Sequence, residues 1–151
     1  MGSAEILRPS RAAISKIDVA TYRIPTDAPE SDGTFEWNAT TLVAVHVACG
    51  GVRGFGYTYG DRATAELIHG TLAPLLQGKD GLESEARWHD MAAALRNAGR
   101  PGIGAMAIAA LDAALWDAKA KLLGAPLVTL LGAAREAIPA YGSGGFTSYS
   151  V

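Results

Sequence analysis

The chain has 151 residues, enough for one domain with a buried core, or for one domain and the beginning of a second. Its 13 basic and 15 acidic residues leave a net charge of −2, which argues against nucleic acid or another polyanion as a partner. A single cysteine, Cys49, excludes a disulfide within the chain, and the N-terminus has no apolar signal core. We therefore expect a cytoplasmic protein.

The first half of the chain predicts three β-strands. Residues 1–13 show no periodic pattern and are expected to form a disordered leader. Strands are predicted over residues 14–23, 40–49 and 52–57, which are rich in β-branched and aromatic residues. A two-glycine turn joins the second and third strands. The alternation of side chains places Val43, Val45, Val47 and Cys49 on one face of the second strand.

A long loop is predicted between the first two strands. Residues 25–38 contain two prolines, a glycine and several acidic residues around two large aromatics, Phe35 and Trp37. Loops of this length inside compact domains are usually functional or disordered. The segment is therefore a candidate part of a binding site.

The second half of the chain predicts helices. Asp61 is a plausible N-cap for a short helix, and a further helix is predicted over residues 83–98. Over residues 103–132, large apolar residues recur three or four apart among alanines, which predicts a long core helix. Gly124 is expected to cap this helix, and Pro126 to open a second short one.

Strands first and helices afterwards predict an α+β fold, with a three-stranded antiparallel sheet followed by a helical bundle. Charged residues within the long helix argue against a membrane span there. After this helix, residues 137–141 form a short strand candidate with a glycine-rich tail. A strand with no successor suggests the beginning of a truncated second domain.

Three motifs carry a resemblance to a known family. They are Ala-Ala-Leu-Asp-Ala-Ala-Leu-Trp-Asp-Ala at 109–118, Gly-Ala-Pro-Leu-Val at 124–128 with Leu-Leu-Gly at 130–132, and Ile-Pro-Ala-Tyr-Gly-Ser at 138–143. Together they resemble the mandelate racemase and muconate lactonizing branch of the enolase superfamily. The resemblance implies a capping domain over residues 14–134, then the first strand and loop of a truncated (β/α) barrel over residues 135–151.

The resemblance also implies a function. In the family, segments equivalent to residues 25–38 and 57–61 close over the active site and choose the substrate. The chemistry is magnesium-assisted abstraction of the proton next to a carboxylate, and the metal stabilises the charge that develops on the carboxylate oxygens. The metal ligands and bases would lie on barrel strands beyond Val151, so we expect no catalytic or metal-binding residue within this chain, and no activity from the chain alone. The candidate substrate-binding residues are Phe35, Trp37, Tyr57, Tyr59, Tyr141 and Ser143. The first four either pack against the sheet or line a ligand pocket, and the resemblance favours the pocket for Trp37 and Tyr59. In an intact barrel, Tyr141 and Ser143 would face the active site.

Some residues imitate catalytic groups without the necessary spacing. Lys119 and Lys121 resemble the family's Lys-x-Lys base motif, but two residues apart on a helix they diverge by about 200°. Asp112 and Asp117, five residues apart, likewise cannot converge on one ion, so structural roles are favoured for both. The three histidines have no zinc-like spacing.

Two functions remain open. The first is the substrate-specificity part of a magnesium-dependent racemase or dehydratase acting on a hydroxy acid or sugar acid, with the remaining barrel as partner and a homo-oligomer as the intact form. The second is a stand-alone binding or oligomerisation module that keeps the cap fold and has no activity. The first predicts exposed apolar surface, and the second predicts a compact particle without it.

Overall fold

The computed structural model describes residues 11–142, which begin with a three-stranded antiparallel sheet in the order β1-β2-β3. Strand β1 spans Ile14–Ser31, β2 spans Glu36–Cys49 and β3 spans Val52–Tyr59. Positive φ angles at Gly50 and Gly51 form the predicted turn between β2 and β3. The predicted sheet is confirmed, although β1 and β2 are longer than the sequence indicated.

The prediction of a loop over residues 25–38 is wrong, because most of this segment belongs to the sheet. The β1–β2 ladder continues past the pair Pro25 and Ala39 and, after a register shift, resumes at Glu30 and Trp37. Only residues 32–35 form the connecting turn. Both prolines lie on β1, an edge strand, where the missing N–H of proline can face away from the ladder.

The residues assigned to a disordered leader are fixed where the structure begins. Ala12 is buried and its N–H donates to Asp80 Oδ1 over 3.1 Å, while Ala13 forms a β-bridge with Asp80. Residues 1–10 lie outside the described range. Residues 11–13 are ordered because they contact Asp80, which lies far along the chain. Local sequence does not reveal such a contact.

The helices follow the sheet. Helix α1, Arg62–Leu67, continues through one wide π-helical turn, Ile68–Leu72, into α2, Ala73–Leu76. Asp61 caps α1 as predicted, accepting the Ala63 N–H over 2.8 Å. The later helices are α3, Ser84–Ala94; α4, Ala105–Leu123; and α5, Leu127–Leu131.

The long helix is confirmed with a later start than predicted. Pro101 and Gly102 have non-helical backbone angles, so regular α4 begins only at Ala105. Gly124 ends it in the left-handed conformation, with φ of 61°. The described part of the chain contains no helix that is both long and apolar enough to cross a bilayer.

The core lies on one face of the sheet, which we call the inner face. There Val43, Val45 and Val47 are fully buried together with residues of the helices, among them Leu111 and Leu115 of α4. The opposite face, which we call the outer face, lies away from this core.

Residues 133–142 carry no helix or strand, so the strand candidate at 137–141 does not form in this structure. A parallel barrel strand needs a neighbour to complete its hydrogen bonds, and none of the described strands pairs with this segment.

Candidate functional site

The two segments that were expected to select substrate meet at one end of the sheet. Strand β3 ends at Tyr59, which pairs with Leu42, whereas β1 and β2 continue beyond this point. We call this projecting part, residues 23–41, the distal hairpin. The Gly60 N–H donates to the Thr41 carbonyl over 3.2 Å, so the β3–α1 connection is joined to the base of the distal hairpin.

The tip of the distal hairpin is held by one carboxylate. Asp32 Oδ1 accepts the backbone N–H groups of Thr34 and Phe35 over 2.8 and 2.9 Å, and the Thr34 hydroxyl over 2.6 Å. These donors, the Thr34 hydroxyl first, lower the pKa of Asp32 to about 2. The turn therefore presents Phe35, whose side chain is 75% exposed, from an ordered backbone.

Trp37 lies further down the distal hairpin and is half-buried. Its indole Nε1 donates to Glu30 Oε2 over 2.6 Å, which fixes the ring across the two strands. By strand alternation Trp37 shares the inner side with Thr41. The ring is thus positioned by the hairpin rather than by the domain core.

A cleft of about 670 Å³, lined by both polar and apolar groups, lies between the inner face at the base of the distal hairpin and helix α1. It is lined by Val19, Thr21, Arg23, Thr41, Arg62, Ala65, Glu66 and His69. Arg23 donates to Asn38 Oδ1 over 2.8 Å, and Arg62 Nε lies 3.7 Å from Glu66 Oε1. Two guanidinium groups, two threonine hydroxyls and an imidazole are available to a hydroxylated anion, although the Glu66 carboxylate in the same cleft shares Arg62.

Sequence reasoning missed the arginines of this cleft. Arg23 was only the end of a predicted strand, and Arg62 only the residue after a helix cap. The available signal was position, because each arginine adjoins one of the two segments expected to select substrate. His69 is an exposed residue that also lines the cleft.

The residues predicted to bind substrate do not converge on a single cavity in this structure. Tyr57 and Tyr59 are exposed on the outer face, with ring centroids 6.0 Å apart, away from the cleft. Tyr141 is exposed in the segment 133–142. Ser143 lies outside the described residues. Their role in substrate binding stays a prediction.

Three charged residues of α4 have structural contacts: Asp117, Lys119 and Lys121. Asp117 Oδ2 accepts the Phe55 N–H over 2.7 Å and Lys121 Nζ over 2.6 Å, and Lys121 also donates to the Arg53 carbonyl. Lys119 Nζ lies 4.6 Å from the centroid of the Trp116 ring. The two lysines therefore have separate structural partners.

Asp112 is half-buried on α4, and burial raises the pKa of its carboxyl. Within residues 11–142, no three His, Cys, Asp or Glu side chains are grouped so that they could hold a metal ion. The described residues therefore do not fit a magnesium site.

Comparison with known proteins identifies the domain. Residues 16–132 match the family described as mandelate racemase / muconate lactonizing enzyme, N-terminal domain. The L-talarate/galactarate dehydratase of Salmonella typhimurium is 35% identical over 134 residues, a match that covers 82% of this chain and 34% of the dehydratase. The chain thus spans about a third of the length of this relative.

Solved structures match over a similar share. A mandelate racemase/muconate lactonizing enzyme-like protein from Rubrobacter xylanophilus is 50% identical with a TM-score of 0.88, covering 91% of this chain and 38% of that one. A racemase from Streptomyces coelicolor A3(2), solved with bound magnesium, is 34% identical with a TM-score of 0.76 and covers 79% and 35%. The α+β fold and the family resemblance predicted from the sequence are confirmed.

Proposed function

Because the chain belongs to the mandelate racemase / muconate lactonizing enzyme family, we propose that it is the capping part of a magnesium-dependent enzyme. The complete enzyme removes the proton next to the carboxylate of a hydroxy acid or sugar acid, as a dehydratase or racemase. Residues 14–134 form the cap and residues 135–151 lead into the barrel. The remainder of the barrel supplies the magnesium ligands and the bases, and the protein is cytoplasmic.

The observation that carries this proposal is the meeting of the distal hairpin and the β3–α1 connection at one end of the sheet, beside the cleft that contains Arg23 and Arg62. A cap selects substrate by presenting side chains over the reacting centre. Here the tip presents Phe35 from a backbone ordered by Asp32, and the cleft at the base presents Arg23 and Arg62. Aromatic and cationic groups are therefore available within one region.

The chemistry of the cleft favours a sugar acid over an aromatic hydroxy acid. Guanidinium groups bind carboxylates with charge-assisted hydrogen bonds, and the hydroxyls of Thr21 and Thr41 match a polyol chain. The dehydratase relative is named for the sugar acids talarate and galactarate, which agrees with this choice. When bound by the barrel, magnesium would stabilise the enolate, while the cap orients the far end of the substrate.

The test is a complete enzyme, made by joining this chain to a barrel that carries the metal ligands or by adding that barrel as a second chain. With magnesium present, we expect exchange of the α-proton on at least one member of a panel of sugar acids. Exchange on no member would contradict the proposed reaction.

A variant then tests the cleft. Arg62→Ala removes a charge-assisted hydrogen bond of about 1.5–3 kcal/mol, so KM should rise roughly tenfold or more while kcat changes little. Arg96→Ala, at an exposed arginine outside the cleft, is the matched control and should leave KM unchanged. If the two variants changed KM equally, the cleft would not bind substrate. The proposed reaction class would be unaffected by that result.

The second candidate is a stand-alone module with the cap fold and no activity, and the continuous core from Ile14 to Ala118 favours independent folding. Exposed apolar surface after the long helix argues against the stand-alone module. It comes from Leu127, Val128, Leu131 and Ile138. Gel filtration of the chain with a hydrophobic dye separates the two. Strong dye binding supports the cap, whereas a monodisperse particle without dye binding and with a cooperative melt supports the module.

A further inference from the structure

A small cleft between α3 and α4 lies apart from the candidate substrate site. Its volume is about 230 Å³, and it is lined by Glu85, Trp88 and His89 of α3 and by Asp112 and Trp116 of α4. Residues three or four apart share one face of a helix, so each helix turns its lining residues toward the other. None of these residues lines the cleft beside the distal hairpin.

The Asp112 carboxylate in this cleft is unpaired. Within residues 11–142 it makes no hydrogen bond and no ion pair, although it is half-buried. A carboxylate that has lost part of its hydration without gaining a counter-charge is unfavourable in its ionised form. Asp117, on the same helix, instead accepts from Lys121 and from the Phe55 N–H. A cation placed against Asp112 would supply the missing interaction.

Two tryptophan rings stand beside this carboxylate. Trp116 is half-buried and Trp88 is 37% exposed. Both rings already attract cations of the chain itself, because Lys119 Nζ lies 4.6 Å from the centroid of Trp116 and Arg100 Cζ lies 5.8 Å from that of Trp88. Neither of these cations lines the cleft, and none of its five lining residues is a lysine or arginine. The charge of the lining therefore favours a cationic ligand.

We infer that this cleft binds a small organic cation with a quaternary ammonium group, held between the two indole rings and the Asp112 carboxylate. A primary ammonium or a guanidinium carries several N–H donors that need acceptors, which the indole walls do not supply. A quaternary ammonium has no N–H donor, and it is attracted both by aromatic rings and by a carboxylate. The chemistry of the cleft therefore selects the quaternary group.

The volume of the cleft limits the size of the ligand. One water molecule takes up about 30 Å³ of the liquid, so the cleft has room for roughly eight non-hydrogen atoms. It is smaller than the pockets of about 300 Å³ or more that hold drug-sized ligands. Choline falls within this size and is the probe we choose. For so small a ligand we expect a Kd on the order of 1 mM.

The test is a titration of the chain with choline, followed through the indole N–H signals in two-dimensional proton–nitrogen NMR spectra. The buffer is phosphate at low ionic strength, because Tris is itself an organic ammonium ion. The signals of Trp88 and Trp116 should shift and saturate, whereas that of Trp37, on the distal hairpin, should not move. The control ligand is the neutral analogue of choline in which a tert-butyl group replaces the trimethylammonium group, and it should give no saturable shift.

Variants test which groups bind the cation. Asp112→Asn keeps the size of the side chain and removes its charge, so the Kd for choline should rise about tenfold. Asp27→Asn removes the same charge from an exposed site on the distal hairpin, and this matched control should leave Kd unchanged. Trp88→Leu keeps an apolar side chain without the aromatic ring and should also weaken binding. The wild-type spectrum, apart from the substituted site, shows that each variant is folded.

Four results would overturn the inference. They are the absence of a saturable shift with choline, equal binding of the neutral analogue, an unchanged Kd in Asp112→Asn, and the failure of a complete enzyme to bind choline in a calorimetric titration. The last result would mean that the remainder of the protein fills the cleft. Each outcome is independent of the proposed reaction, because neither substrate nor magnesium takes part in the titration.

Discussion

At Gly54 and Gly56 the sheet and the long helix approach closest. A Cβ atom on Gly54 would lie 2.0 Å from the Ala114 carbonyl oxygen, and one on Gly56 would lie 2.1 Å from that of Ala110. Both obstacles are helix backbone, which cannot move aside alone. The two glycines therefore allow α4 to pack closely against β3.

We expect Gly54→Ala and Gly56→Ala to lower the free energy of unfolding by about 3 kcal/mol, at the upper end of overpacking effects. Urea denaturation measures this. Gly70→Ala is the control, since its Cβ would meet nothing within 4 Å and should change stability by less than about 1 kcal/mol. Equal stability of all three variants would mean that α4 does not pack as described.

Asp112 should make stability depend on pH in an unusual direction for a carboxylate. Burial raises its pKa above the ordinary 3.8, so the folded state binds this proton more tightly than the unfolded state. The resulting contribution is fully present below pH 3.8 and is lost as pH rises through the raised folded value. At neutral pH the charged form then opposes folding.

Asp112→Asn should therefore raise Tm at pH 7, and the gain should disappear below pH 3.8, as thermal melts at both pH values would show. Glu85→Gln is a control at an exposed carboxylate in the same small cleft between α3 and α4, and should change Tm little at either pH. If the gain in Tm persisted unchanged at low pH, its cause would be packing rather than the charge of Asp112.

At the scale of elements, α4 covers the free edge of β3 as well as one face of the sheet. Asp117 accepts the outward-facing N–H of Phe55, and Lys121 donates to the outward-facing carbonyl of Arg53. An uncovered edge of this kind can pair with another chain. The i,i+4 pair on α4 therefore also ends the sheet at β3.

Asp117→Ala should reduce the free energy of unfolding by about 1–2 kcal/mol, because it removes the acceptor of a backbone donor in addition to an ion pair. Glu66→Ala breaks the exposed i,i+4 pair with Arg62 and should cost less than about 0.5 kcal/mol. Chemical denaturation compares the two. Similar costs would show that the contact with β3 contributes nothing beyond the helix pair.

The sequence predicted some elements better than others. The well-predicted ones depend on signals within a short stretch of chain, and the others on contacts between distant residues. Helix α4 was predictable because its period, its alanine content and the cap at Gly124 are local signals. The distal hairpin was not, because Pro25 and Pro29 indicate a loop unless their strand is known to be an edge. Its ladder is a pairing between strands, which local composition does not encode.

The same distinction between local signals and distant contacts applies to the residues of the candidate site. The sequence directed attention to the end of the sheet where the proposed site lies, through Phe35 and Trp37, which lie on the distal hairpin. Arg23 and Arg62 come together only through the packing of α1 under that hairpin, so neither could be singled out beforehand. The outer position of Tyr57 and Tyr59 likewise required the register of β3.

At the scale of the whole molecule, two surfaces have separate proposed roles. The hairpin end and its cleft are proposed to meet substrate, and the exposed apolar side chains of residues 123–138 to meet the barrel. Because these surfaces lie on different parts of the fold, variants at each can be interpreted independently. Arg62→Ala should leave dye binding by residues 123–138 unchanged.

The distal hairpin has a consequence for how such a domain can diversify. Beyond Leu42 its ladder involves only β1 and β2, and neither β3 nor the core extends along it. Changes in its length or sequence are therefore isolated from the contacts that hold the domain together. Under the proposed function, descendants of one ancestor would acquire new substrates by altering this hairpin alone, and randomising residues 26–37 would sample new specificities at little risk to folding.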